Sequence, residues 1–333
     1  MPAVISIHGD GLAACCAARL LTRRGFHLDC RHATRAASPT LLFNQSTRHL
    51  LTEVFDGVDE LLSDCLEIRQ RVVLWGPVAA PVAFPHAGWT LDEGRLLNRL
   101  WLTLEPSASD ANCSPAWSLY SSAKTASGVH QTFGTRVATA ITVRLWDRAA
   151  DSCWVESLED GWLFLLPSGN GQASLLATGA APEVLLSKSR LIAPQVDTIT
   201  GIGVAFPTSP RILQPLAAPS WIACGSAALS FDPICGEGAG NAVREAILAA
   251  AVIAAIENGA DAESALAHYS ARLLAGFLRH LNASRQFYAS AGEGDWWLSE
   301  LAELDRGIAW THAQLAALPP ARYGLRGFDL ERL

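Results

Sequence analysis

Residues 221–249 read WIACGSAALSFDPICGEGAGNAVREAILA, and this stretch decides the fold. A short apolar run, 221–224, ends in a small-residue turn at Gly225 and Ser226. Asp232 and Pro233 follow, and Gly236, Gly238 and Gly240 then lead into a strongly apolar helical segment. Glycine lets the backbone take positive φ and approach a ligand closely, and a helix start offers N–H groups with no partner inside the helix. Such a start attracts an anion or a polarised ring oxygen. The pattern suits a flat, phosphate-bearing cofactor.

The matching half lies at residues 4–30, VISIHGDGLAACCAARLLTRRGFHLDC. The apolar run 4–7 reads as a buried strand, 9–11 as the turn after it, 12–24 as a helix and 26–30 as a second strand. Gly9, Gly11 and Ala14 occupy the G-x-G-x-x-G/A positions, which place a pyrophosphate at the helix start over Leu12 and Ala13. Tight packing at a strand-to-helix corner produces the same residues, and it is the late stretch that favours the dinucleotide reading.

Together the two stretches resemble the FAD-dependent monooxygenase superfamily, whose late motif is typically G-D-A-A-x-x-x-D-P-x-x-G-x-G. Within it the sequence is most similar to the tryptophan-halogenase-like and geranylgeranyl-reductase-like branch. That branch includes flavoproteins that mature the quinone cofactors of lysine and glycine oxidases and of quinohemoprotein amine dehydrogenase. DGWLFLLP at 160–167, SPRILQPL at 209–216 and the segment 268–297 extend the likeness over most of the chain. The resemblance implies an α/β fold: a Rossmann-type FAD-binding domain with an inserted antiparallel β-sheet substrate region and a helical C-terminal cap. The expected division is 1–125 and 207–260 for the FAD-binding domain, 126–206 for the sheet region and 261–333 for the helical region.

Composition narrows the classes. A chain of 333 residues, half of them hydrophobic, buries a large core in one or two domains. A net charge of -7 argues against a nucleic-acid partner, which needs a basic face. The eight cysteines form no C-x-x-C pair and no zinc spacing, so a reduced, cytoplasmic protein is expected and no metal site. The start lacks a signal-peptide pattern, and the longest wholly apolar run, 246–256, is too short to span a bilayer, so no membrane span is expected. Between the motifs, 47–54, 59–68 and 91–104 read as helical and 71–75 as a strand. Three prolines make 76–88 an irregular connection, 105–116 is a trimmed, turn-rich link, 135–178 alternates as antiparallel strands, and everything after 261 looks helical.

Site residues follow from motif position. An acid gripping both ribose hydroxyls belongs at the end of the second strand; the family's spacing puts Cys30 there, with Arg31 in the basic position that follows. Asp29 stands one residue early, and on a strand that shift turns a side chain to the opposite face. Ser226 stands where the family has Asp; it keeps one hydrogen bond without a charge, a difference of about 0.5–1.5 kcal/mol or about tenfold in affinity. The resemblance places Asp232, Pro233, Gly236, Gly238 and Ala239 beside the isoalloxazine ring, although Asp232 is equally a helix N-cap. Glu237 is the candidate catalytic base or substrate-orienting carboxylate, weighed against a first-turn acid that the helix dipole favours.

Two residues are candidates for the substrate side. Trp162 resembles one end of the halogenases' W-x-W-x-I-P segment, with Phe164 in place of the second Trp, and core packing competes with that role. His86 sits among prolines in AFPHAGW. Flavin halogenases depend on a lysine after the first cofactor unit, and residues 40–90 contain none; lysine stands only at 124 and 188. The resemblance implies flavin-dependent hydroxylation of an electron-rich aromatic ring, such as a small indole or a tryptophan in a partner protein, with electrons from NAD(P)H or a separate reductase. Halogenation, geranylgeranyl-type reduction, and a degenerate flavoprotein acting as a non-catalytic binding or maturation factor remain the alternatives.

Overall fold

The structure is a computed structural model that describes residues 3–33, 40–57, 62–104, 114–123, 128–147 and 151–333. Most of the turn-rich link at 105–116, together with Cys113 and Lys124, lies outside these residues. The chain begins with β1 (Val4–His8), α1 (Leu12–Arg23), β2 (His27–Arg31), β3 (Leu41–Asn44) and α2 (Gln45–Phe55). It continues through β4 (Leu66–Leu74), β5 (Val82–Leu91), α3 (Glu93–Leu102), β6 (Trp117–Tyr120) and β7 (Val129–Thr132). Next come β8 (Val137–Leu145), β9 (Ser152–Leu158), β10 (Gly161–Gly169), β11 (Gln172–Gly179), α4 (Pro182–Lys188), β12 (Val196–Ile199) and β13 (Val204–Pro207). The last part holds β14 (Arg211–Gln214), β15 (Ala217–Ala218), β16 (Trp221–Ala223), β17 (Leu229–Ser230), α5 (Gly238–Glu257), α6 (Ala262–Ala289), α7 (Asp295–Ala316), β18 (Tyr323–Arg326) and β19 (Asp329–Arg332).

The first sheet is ordered β15-β16-β6-β1-β2, parallel except for the short β15. Ile5, Ser6 and Ile7 are fully buried, as a parallel strand covered on both faces requires. α1 is rich in alanine, and its small side chains let α5 pack along it. α5 is apolar almost all round, which marks a helix enclosed by its own fold; it has the length and hydropathy of a membrane span, yet 67% of that window is buried here. The late stretch and the N-terminal stretch thus share one core, with β16 joining β1 through β6.

A larger sheet runs β12-β8-β11-β10-β9-β4-β5-β3, with β13 also on β8. It is antiparallel except between β4 and β9. Its residues alternate between two cores: Trp162, Phe164 and Leu166 face the main core, while Leu163 and Leu165 face a second core with Leu185 on α4. Residues 41–91 supply β3, β4 and β5 to this sheet, so the chain enters it once before the segment 126–206 expected to form it. The helical reading of 59–68 gives way to a strand from Leu66 onward, and the connection expected at 76–88 contains most of β5. Pro85 sits at the edge of a register shift between β4 and β5, the kind of irregularity at which a strand accommodates proline. At the C-terminus α6 and α7 pack together, but the chain ends in the β18–β19 hairpin rather than in helix.

Candidate cofactor and substrate site

The glycine turn after β1 is shaped by close approach. Gly9 has φ +131°, and a Cβ there would stand 2.3 Å from Ser121 Oγ and 3.3 Å from Ser122 N. The end of β6 therefore closes directly on the turn. Gly9 N–H donates to the Arg31 carbonyl at 2.9 Å, tying in the end of β2. Gly11 caps α1 without a side chain, no acid follows in the first turn, and the first intrahelical bond runs from Cys15 N–H to Gly11. The N–H groups of Leu12, Ala13 and Ala14 thus have no acceptor inside the helix and form its positive end. Trp101 donates to the Asp10 carbonyl at 2.9 Å and fixes the turn from α3.

At the end of β2, burial and then Asp29 push the Cys30 thiol up to about 11, so it stays neutral. Asp29 is engaged locally, accepting from Arg31 Nε at 2.9 Å and from Ser6 Oγ at 3.3 Å. Arg31 is correspondingly turned toward Asp29.

The late stretch meets this turn at Gly225, the first residue of a 3-10 turn (Gly225–Ala227) with φ +55°. A Cβ there would stand 2.8 Å from Ala13 Cβ and 3.3 Å from the Ser121 carbonyl oxygen. Two glycine turns almost 220 residues apart in sequence therefore converge on the start of α1. Ser226 is exposed, and its hydroxyl donates to the Ser121 carbonyl at 3.2 Å. Beneath the turn, Gly225 N–H donates to Glu245 Oε2 on α5 at 2.7 Å.

Asp232 is held by a buried polar network. One of its carboxylate oxygens accepts from Ile234 N–H at 3.0 Å, the N-cap geometry; the other takes Arg136 Nη1 at 2.7 Å and the Tyr288 hydroxyl at 2.7 Å. Its own N–H donates to His280 Nε2 at 2.8 Å. Arg136 Nε lies 3.0 Å from Glu300 Oε2 but misaligned for a hydrogen bond, so this contact is charge pairing. Burial opposes the Arg136 charge, but Tyr288, Asp232 and Glu300 outweigh it and hold its pKa above the ordinary value. Burial lowers His280 to about 4, so its neutral ring accepts. Trp162, fully buried, donates to the Tyr288 hydroxyl at 3.2 Å. The structure thus places Trp162 within the core that backs Asp232, with no surface open to a cleft.

Beyond Pro233 the chain takes a left-handed turn at Gly236, and Glu237 forms the exposed N-cap of α5 with no capping side chain. Gly238 faces open space and Ala239 follows in the first turn. Opposite Gly236 stands the large sheet. Arg71 on β4 lies over Phe164 at 5.8 Å and against the Cys153 thiol, with Nη2 3.6 Å from the Gly236 Cβ position. His86 occupies the β4–β5 irregularity; its Nε2 is 2.7 Å from the Gly88 Cβ position, and burial with Arg71 lowers its pKa. The site therefore unites α1, the Gly225 turn, α5 and one sheet face. Arg71, Arg136, Glu245, His280, Tyr288 and Glu300 were not singled out in the sequence.

These residues fit a flavin dinucleotide. α1 and α5 each present an N-terminus without a side-chain cap, the form that accepts phosphate or a polarised carbonyl. Asp10 Oδ1 is buried beside the first turn without a partner among the described residues, which suits a hydroxyl donor of the kind a ribose or ribityl chain carries. The fit is weakest at Cys30 and Ser226, where neither side chain is charged.

Glu245 gives this site a pH signature. Burial raises its pKa to about 8, and His280 is lowered to about 4, so their effects on stability oppose each other at acid pH. Above pH 6.5 only the Glu245 effect remains: the native state holds a proton that the unfolded chain has lost, and stability falls as pH rises through 8. The expected loss from pH 6.5 to 8 is about 2 kcal/mol. Glu245→Gln is expected to remove that slope, and urea unfolding at both pH values checks it.

The architecture has solved counterparts. Peptidyl tryptophan dihydroxylase QhpG, described as essential for tryptophylquinone cofactor biogenesis, matches with TM-score 0.78 at 17% identity, over 100% of this chain and 86% of that one. The myxobacterial chondrochloren halogenase CndH, an FAD-dependent halogenase, matches with TM-score 0.74 at 14% identity, over 95% and 91%. The chain has the fold of FAD-dependent hydroxylases and halogenases. Aklavinone-11 hydroxylase, solved with FAD and aklavinone, matches with TM-score 0.64 at 14% identity over 87% of this chain and 69% of that one. No family model matches the sequence, and no curated protein matches it. The flavin-enzyme fold expected from the two glycine stretches is borne out, with its Rossmann-type sheet and C-terminal helices.

Proposed function

We propose that the protein is an FAD-dependent monooxygenase that hydroxylates an indole-like ring, with a tryptophan in a partner polypeptide as the substrate. The observation that carries the flavin reading is the packing of Gly225 against Ala13, which brings both glycine turns to one cradle. Bound FAD supplies the oxygen-activating redox chemistry. The chain's own residues then bind and orient. Leu12, Ala13 and Ala14 would offer N–H groups to the pyrophosphate, Asp10 would take a hydroxyl, and the start of α5 would hold the ring. Arg136, Tyr288 and His280 fix Asp232, and through it the turn at Gly236. Glu237, exposed and without an ion pair among the described residues, is the carboxylate able to orient substrate or move a proton at the ring edge.

A large substrate is favoured by the β4–β5 hairpin. Residues 77–85, PVAAPVAFP, are all exposed and uncharged, and they run directly out from Arg71 and His86. An apolar projection at the mouth of a site suits a protein partner. The likeness in fold to a peptidyl tryptophan dihydroxylase supports the same choice by analogy. Seven free cysteines among the described residues suit a reducing, cytoplasmic setting. Electrons would come from NAD(P)H or a separate reductase.

Titrating FAD into the purified chain and following flavin absorbance and fluorescence tests the assignment. Gly11→Trp puts a bulky ring over the start of α1 and is expected to weaken FAD by at least about a hundredfold, through lost phosphate contacts. Undiminished affinity in that variant would move the cofactor elsewhere.

A further inference from the structure

We propose that Arg71 and His86 form a carboxylate-recognition site on the substrate side of the cleft, so that the aromatic substrate is one carrying a carboxylate near its ring. Arg71 Nε is buried without a hydrogen-bond partner, and the residue makes no ion pair among the described residues. A buried charged donor left unfilled is costly, and native structures rarely keep one without a use. The edge formed by Nε and Nη2 is the one that grips a carboxylate through two parallel bonds, and its Nη2 end is 3.6 Å from the Gly236 Cβ position. The Nη2 end of that edge therefore lies beside the turn leading into α5.

His86 adds a second unfilled position, since its Nε2 is also buried without a partner among the described residues. The irregularity between β4 and β5 re-aims this side chain, as bulges beside functional sites do. Arg71 is hydrogen-bonded to the Cys153 thiol and lies over Phe164, and neither neighbour supplies a negative charge at neutral pH: burial raises the Cys153 thiol pKa. Cys235, next to Gly236, is likewise raised, to about 12. Glu237, the nearby carboxylate at the start of α5, is exposed and makes no ion pair with Arg71 among the described residues. The carboxylate has two sources consistent with this chemistry, a free aromatic acid or an acidic residue beside the tryptophan of a polypeptide. Only that choice of substrate class rests on the flavoprotein reading.

Calorimetric titration with indole-3-acetate and with indole, on the chain with and without FAD, tests the site. Wild type is expected to bind the acid about tenfold to a hundredfold more tightly than indole, the range of one charge-assisted pair. Arg71→Met is expected to erase that preference while leaving indole unchanged, and Arg71→Lys to keep part of it, since a point charge replaces a fork. A blocked Trp-Glu dipeptide that outbinds both blocked Trp-Gln and indole-3-acetate identifies the polypeptide source; the reverse order identifies the free acid. No acid preference in wild type overturns the proposal, as does an equal loss for acid and indole in Arg71→Met. Should Arg71→Met fail to fold, the wild-type comparison and Arg71→Lys still decide. Flavin absorbance read on the same samples separates the two hypotheses, because a chain that takes no FAD can still prefer the acid.

Discussion

Arg136→Met is expected to cost about 3–5 kcal/mol of folding stability, a large share of the 5–15 kcal/mol that holds a typical domain together. Arg136 is completely buried, and Asp232 and Glu300 flank it with side chains 0% and 2% exposed. Methionine matches the length of the arginine stem but leaves two carboxylates facing each other in the core. Much of the loss is the cost of those unpaired charges rather than the worth of the original pairs. Arg136→Met with Asp232→Asn and Glu300→Gln is therefore expected to recover part of what the single change loses. Urea midpoints for the two variants give the comparison, and a single variant within 1 kcal/mol of wild type would show that the network is not holding this region. The functional consequence follows from Asp232, which links the network to Gly236 and the start of α5. Weakened FAD binding is expected wherever the chain still folds.

The cradle was legible in the sequence because its signals are local. Gly9, Gly11 and Ala14 fall within six residues, and Asp232, Pro233, Gly236 and Gly238 within seven, so spacing alone exposes a turn feeding a helix. The network behind it is invisible to spacing. Arg136, Asp232 and Glu300 come from distant segments, and neither Arg136 nor Glu300 falls in a motif that would mark it as Asp232's neighbour. One signal did exist: His280, Ser284 and Tyr288 recur every four residues on α6, all buried, a polar stripe on a helix face that ought to be apolar. Asp232 was open to two readings, N-cap or flavin neighbour, and the structure shows the cap with one oxygen while the other serves Arg136 and Tyr288.

The sheet was less legible where proline misled. Residues 77–85 contain three prolines, and only the pairing of β5 with both β3 and β4 makes a strand of the part that begins at Val82. That pairing is long-range, so it also hid Arg71, whose importance comes from Phe164 and Gly236 rather than from its neighbours in β4. Cys30 and Ser226 were legible as departures from a motif, and the local geometry gives them a physical meaning: both are uncharged, and Asp29 is drawn to Arg31 rather than to the cleft.

Gly225→Ala is expected to abolish FAD binding, with a loss of at least about a hundredfold, while costing the fold only about 1–2 kcal/mol. Two effects are mixed in that variant. The backbone at φ +55° is strained for any L side chain, and the new methyl would stand 2.8 Å from Ala13 Cβ. Gly169→Ala separates them, because Gly169 also has positive φ, +93°, but nothing lies within 4 Å of its Cβ position. Thermal melting is expected to show a loss in both variants, the larger one in Gly225→Ala because of the added contact, yet only Gly225→Ala should lose the cofactor. Adding Ala13→Gly removes the opposing methyl and is expected to restore part of the affinity, although the Ser121 carbonyl at 3.3 Å still crowds the position. Rescue of that kind is what convergence predicts: the distance between two helices, set by which residues lack a methyl group, determines whether a dinucleotide is held. Equal FAD loss in the Gly169 variant would instead assign the effect to general loosening of the fold.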